Sequence, residues 1–161
     1  MAKSVALISA LCILALAAVA HSHKEVFDVV GEVYCDVCRF QFHNDLSYKL
    51  EGATVKLECS NIDTKAVTYT TEGVTDASGR YRLQVTGDHE LDICQVNVVK
   101  SPKEDCNEVM HDVVDSKIEI TENSGMHTDV RFANPIGFMA KEAKPECAAL
   151  LDKYFKIDDE E

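Results

Sequence analysis

Six cysteines, Cys35, Cys38, Cys59, Cys94, Cys106 and Cys147, lie downstream of an apolar leader and set the terms on which this chain can fold. The leader runs from Val5 to Ala20 with Lys3 as the one charge before it, and ends in Ala18-Val19-Ala20, the small-residue pattern that a signal peptidase cuts. Residues 1–20 are therefore read as a signal peptide, and Cys12 leaves with it. An even number of cysteines in a chain routed through an oxidising compartment predicts three disulfides. Each adds about 2–4 kcal/mol by restricting the unfolded chain, a large contribution for a modest core.

What remains, 21–161, fits one domain with a real but modest core. The leader carries one of the 16 basic residues and none of the 28 acidic ones, so the mature chain has 15 against 28 and a net charge of −13. Such a surface repels nucleic acid and attracts basic proteins and divalent cations. No further segment has the length and apolarity of a membrane span, and the end, Asp158-Asp159-Glu160-Glu161, is not an ER-retention signal. The expected destination is the extracellular space.

The apolar pattern has a period of two. Ala53, Val55, Leu57 and Cys59 alternate with polar neighbours, as do Tyr81, Leu83 and Val85, then Cys94, Val96 and Val98, then Ile118 and Ile120. These are half-buried strands. Val26 to Cys35 reads as one strand with a bulge at Gly31, and Asp76-Ala77-Ser78-Gly79 as the turn of a hairpin between Ala66–Thr75 and Arg80–Val85. Gly87-Asp88 starts another turn. Arg39-Phe40-Gln41-Phe42 reads as a strand continuation that would put Phe40 and Phe42 on one inward face. Short helices are expected at Glu104–Val114 and from Pro145 to Tyr154, and burial is expected around Phe138, Met139 and the Asn134-Pro135 corner. The fold class is all-β: a small antiparallel barrel or sandwich of about seven strands stapled by three disulfides, with the choice between barrel and sandwich open.

The stretch Gly31-Glu32-Val33-Tyr34-Cys35-Asp36-Val37-Cys38-Arg39 closely resembles the signature of the pollen-allergen Ole e I and extensin-like family of secreted plant proteins. The resemblance runs on through Glu51-Gly52-Ala53-Thr54-Val55, the Thr75-Asp76 to Gly79-Arg80-Tyr81 turn, Lys100-Ser101-Pro102 before Cys106, and Ala133-Asn134-Pro135-Ile136-Gly137-Phe138. It implies a compact antiparallel β barrel with Cys35 bonded to Cys106, Cys38 to Cys147 and Cys59 to Cys94. Geometry alone adds only that Cys35 and Cys38, three apart on a strand, point to opposite faces and seek different partners. The chain departs from the family in lacking any Asn-x-Ser/Thr sequon, and with three prolines it has no extensin repeat.

The resemblance implies a non-enzymatic extracellular ligand or wall-associated binding protein of pollen tube or tissue development. Its partner would be an extracellular protein such as a receptor ectodomain, or a cell-wall polymer. The main alternative is a protease inhibitor, which needs an exposed cation on a rigid loop and draws attention to Arg80 and Lys103. A thioredoxin-like role for Cys35-x-x-Cys38 needs the first thiol at a helix start, and a strand precedes it instead. No catalytic residue, cofactor or zinc site is expected, because no nucleophile elbow, metal-protease motif or second ligand pair accompanies the histidines. His43, His89, His111 and His127 read as exposed surface residues. The free amine of a mature His21-Ser22-His23 start offers a square-planar Cu(II) chelate, with a frayed terminus as the plainer reading; the acidic tail reads as solvated, not as a Ca²⁺ cage.

Overall fold

The computed structural model describes residues 25–110 and 116–155. The leader, the His21-Ser22-His23 start, His111 and the acidic tail lie outside the described residues. The described residues form ten strands, one α-helix and a 3-10 turn at Glu122–Ser124: β1 (Val26–Asp36), β2 (Tyr48–Lys49), β3 (Thr54–Asn61), β4 (Val67–Val74), β5 (Arg80–Thr86), β6 (Asp92–Lys100), β7 (Cys106–Val109), β8 (Lys117–Ile118), β9 (Val130–Phe132), β10 (Ile136–Ala140) and α1 (Cys147–Phe155). They make two facing sheets and no closed barrel, so the sandwich is the correct member of the expected pair.

β1 organises the first sheet because it is long enough to serve four partners. Its first half pairs antiparallel with β5 and parallel with β9. Its second half pairs antiparallel with β2 and parallel with β10, which leads on to β7. The sheet is thus not purely antiparallel as expected. The second sheet has the order β4-β3-β6-β8 and is antiparallel throughout. The alternating apolar residues meet between the sheets: Phe27, Val29 and Val33 from β1, Leu83 and Val85 from β5, Val55 and Leu57 from β3, and Val96 from β6 belong to one buried cluster. Their burial is the main favourable term in the fold.

Three disulfides tie this cluster together. Cys35–Cys106 joins β1 to β7, Cys38–Cys147 fastens α1 to the segment after β1, and Cys59–Cys94 bridges residues directly opposite on β3 and β6 with their Cα atoms 3.9 Å apart.

Several local expectations are corrected. No bulge occurs at Gly31, whose pairing with Tyr81 continues the register of its neighbours; the glycine is needed because a Cβ there would lie 2.3 Å from the Tyr81 hydroxyl. The Asp76–Gly79 turn forms, with Gly79 N–H donating to the Asp76 carbonyl at 2.9 Å, but it closes no hairpin. Thr75 is held by Ala53 and Leu50, which keeps β4 on β3 while β5 crosses to β1 in the other sheet. Of the helix expected at Glu104–Val114, residues 106–109 are β7, paired with β10, and 111–115 lie outside the described residues. The helix expected after Pro145 is α1.

The strand does not continue through Arg39 to Phe42. Asp36, fully buried, accepts hydrogen bonds from the backbone N–H of Cys38 (3.0 Å) and Gln41 (2.7 Å) and from the Asn44 side-chain amide (3.2 Å). This wraps the chain around the carboxylate and forces Arg39 and Gln41 to positive φ of 60° and 64°. Phe40 and Phe42 end half-buried with ring centroids 5.7 Å apart. Phe138 is buried as expected, Met139 is half-buried, and the Asn134-Pro135 corner is exposed.

Candidate recognition surface

The described residues that depart most from a plain β scaffold lie at one pole of the sandwich, where the β3–β4 turn, the β5–β6 turn and the segment after β8 converge. Gly87 permits the second turn through its φ of 100°. The turn then folds back so that His89 N–H donates to the Ile120 carbonyl at 2.9 Å and Asp92 N–H donates to the His89 carbonyl at 2.9 Å. The side chain of Asn61 accepts from Asp63 N–H and Thr64 N–H, closing the β3–β4 turn and presenting Ile62.

Between these turns lies a cleft of about 530 Å³ walled by Ile62, Ile93, His89, Glu90, Lys117 and Glu119. Ile62 N–H donates to the Leu91 carbonyl at 2.9 Å, which sets Leu91, 70% exposed, beside exposed Ile62 and Ile93. Large apolar side chains grouped on a surface and rimmed by charge mark interaction sites. The cleft walls carry Glu90, Asp92 and Glu119 against Lys117, so the pole shares the acidity of the chain.

His89 is a correction to the sequence reading: it is 9% exposed, not a surface histidine. Its Nδ1 lies 2.9 Å from Asp92 Oδ2, which also accepts from the Thr68 hydroxyl at 2.6 Å, and its ring meets Tyr69 edge-on at 5.1 Å. Burial acts to raise the Asp92 carboxyl; the hydrogen bonds from Thr68 and His89 outweigh it and hold the group below its ordinary value. The other ring nitrogen, Nε2, is buried and has no hydrogen-bond partner among the described residues. His43 and His127 are exposed.

Sequence reasoning also missed Arg131, the largest of the fully buried side chains. Its guanidinium donates to the carbonyls of Glu119 (3.2 Å), Thr121 (2.7 Å) and Thr128, and stacks 4.7 Å over the Phe27 ring. It pins the 119–121 wall of the cleft to β9. Nothing in the local pattern marks such a residue, since its partners are backbone carbonyls.

The other candidates are placed as follows. Arg80 opens β5, its backbone is laddered to Glu32 of β1, and its side chain is 3.3 Å from the Glu32 carboxylate. Lys103 is exposed in a tight β6–β7 turn closed by Cys106 N–H to the Lys103 carbonyl at 3.3 Å. Arg80 is thus held in a strand ladder and Lys103 in a tight turn, and neither stands on a free extended loop. Cys35 and Cys38 are each bonded elsewhere, which leaves no vicinal redox pair. A second concavity of about 590 Å³ on the outer face of β1, β5 and β9 shows Phe132, 80% exposed, but its Arg80 and Arg82 are already paired with Glu32 and Asp28.

Residues 25–155 match the family model described as pollen protein Ole e 1 like. The chain is 58% identical over 153 residues to the anther-specific protein LAT52 of Solanum lycopersicum, covering 95% of each. It is 49% identical to pollen allergen Che a 1 of Chenopodium album, covering 90% of this chain and 88% of that protein. Among solved structures, the major plantain pollen allergen Pla l 1 superposes with a TM-score of 0.70 at 38% identity, over 76% of this chain and 99% of that one. By sequence and by fold, the chain belongs to the Ole e 1-like family of pollen proteins.

Proposed function

We propose that this is a secreted, non-enzymatic binding protein of the plant extracellular space, and that it docks a basic, apolar-tipped segment of a partner protein such as a receptor ectodomain at the His89 pole. The observation that carries this is the group Ile62, Leu91 and Ile93, exposed together beside Glu90 and Glu119 on turns anchored directly to β3 and β6. Apolar anchors would supply affinity, while the acidic rim and the net charge would speed encounter with a basic surface. The apolar leader and the three disulfides support secretion. The non-enzymatic reading is supported by His89, whose arrangement with Asp92 is that of a general base but whose Nε2 is buried, out of direct reach of a substrate docked in the cleft.

The test is saturable binding of fluorescently labelled mature protein to intact pollen tubes, competed with unlabelled variants. Unlabelled wild-type protein should compete, Leu91→Asp should compete at least about tenfold less well, the loss expected for a central apolar anchor, and binding should weaken with salt. Equal competition by Leu91→Asp and wild type, or no saturable binding, overturns the reading.

A further inference from the structure

We propose that the Cys59–Cys94 disulfide masks a Cys₂His site for Zn²⁺, which becomes competent when a dithiol reductant opens that bond. A ring nitrogen of His89 and the two Sγ atoms all lie within 4.8 Å of one another, and all three residues are buried. They come from three adjoining pieces at one end of the second sheet: its central strands β3 and β6 and the turn that enters β6.

The imidazole is already arranged as a metal ligand. In its Nδ1–H tautomer the ring donates to Asp92 Oδ2 at 2.9 Å, which also accepts from the Thr68 hydroxyl, the carboxylate–histidine arrangement that fixes the ring of a metal-bound histidine and leaves the lone pair on Nε2. That Nε2 is buried and without a partner among the described residues, in an imidazole with a ring nitrogen within 4.8 Å of both sulfurs. A purely structural histidine has no use for this, and unsatisfied buried polar groups in native proteins often signal an absent ion or water.

The sulfurs are the missing part. In the disulfide they are poor donors; zinc needs thiolates. A dithiol supplies them in balance: its thiolate attacks one sulfur to form a mixed disulfide, its second thiol displaces it, and the reductant leaves as a disulfide having given two electrons and two protons to Cys59 and Cys94. Zn²⁺ then displaces the two thiol protons and binds two thiolates and His89, with water in the fourth position. Tetrahedral zinc with bonds of about 2.3 Å to sulfur and about 2.0 Å to nitrogen spaces its donors by roughly 3.5 Å, within reach of small side-chain rotations from the present positions. Cys94 forms part of the cleft floor, which gives ion and reductant a path inward.

The test uses the mature chain under anaerobic conditions with Co²⁺ as a spectroscopic stand-in for Zn²⁺. Reduced protein should take up one Co²⁺ with the tetrahedral and thiolate charge-transfer bands of a two-sulfur site, reversed by Zn²⁺ and absent from oxidised protein. Cys59→Ser with Cys94→Ser should abolish the bands although four other thiols remain. His89→Ala should weaken affinity at least about tenfold, and Asp92→Asn, which disturbs only the orientation and tautomer of the ring, by about tenfold. Bands that survive the double serine variant, affinity indifferent to His89→Ala, or no uptake by reduced wild type each overturn the proposal. Indifference to His89 also identifies metal held by an unfolded reduced chain, so loss of fold cannot pass as support.

Discussion

The Tyr81 hydroxyl lies over the α-carbon of Gly31, directly across the β1–β5 ladder, so close that a methyl group on Gly31 would stand 2.3 Å from it. The hydroxyl is buried without a hydrogen-bond partner among the described residues, and burial pushes its pKa far above the usual tyrosine value. Gly31→Ala should therefore destabilise by about 1–3 kcal/mol through overpacking. Tyr81→Phe removes the oxygen that would clash, together with its burial cost, and should be near neutral. The double variant should recover part of the loss. Urea denaturation of the four proteins checks this; strictly additive effects would mean that the contact does not limit Gly31.

Arg131 should be as sensitive. Replacing it with Met keeps the volume but removes the donors to the carbonyls of Glu119, Thr121 and Thr128, of which that of Thr121 keeps the Ser124 hydroxyl. At about 1–3 kcal/mol for each buried group left unpaired, the loss should reach about 3 kcal/mol. Hydrogen exchange should quicken first at residues 119–124, the cleft wall, before the sheet cores respond. Arg131→Lys should not rescue, because an ammonium cannot span three carbonyls. Uniform acceleration across the molecule would deny Arg131 its local role.

Asp36 offers a third test, because it explains why an acid stands between the two cysteines of the signature. Its carboxylate collects Cys38 N–H, Gln41 N–H and the Asn44 amide, so Asp36→Ala leaves three buried or half-buried donors without their acceptor. The expected cost is about 3 kcal/mol or more, with the Arg39–Gln41 backbone leaving its positive φ values. A fall in the denaturation midpoint worth less than about 1 kcal/mol would show that the turn holds itself.

These residues also show what a sequence can disclose. The long inward runs of β3 and β5 are legible because burial repeats every second residue over a distance that no helix imitates. β2 and β9 are two or three residues long, too short to show a period, and β7 reads as a helix, which is why about seven strands were expected where the described residues hold ten. The parallel pairing of β1 with β9 and β10 and the crossing at Thr75 depend on contacts between distant segments. The candidate site is hidden for the same reason: Gly87-Asp88-His89-Glu90 reads as a polar turn, and only the return of the chain to Ile120 buries the imidazole.

Acidification should expose the ion pairs across the first sheet. Glu32 receives a hydrogen bond from Lys49 and, through Arg80, a second cation; despite some burial these hold its carboxyl below the ordinary 4.5. A carboxyl lowered by folding contributes stability that is complete above its unfolded value and is lost as the pH falls through the folded value. Wild type should therefore exceed Glu32→Gln by a constant margin above about pH 5.5, and the two should converge as the pH falls below the lowered value of the folded carboxyl. Because both cations are largely exposed, the margin should be under about 1 kcal/mol and should shrink in high salt. Thermal unfolding from pH 3 to 7 decides the matter: a margin that persists unchanged at pH 3 would mean that Glu32 acts through packing, not through its charge.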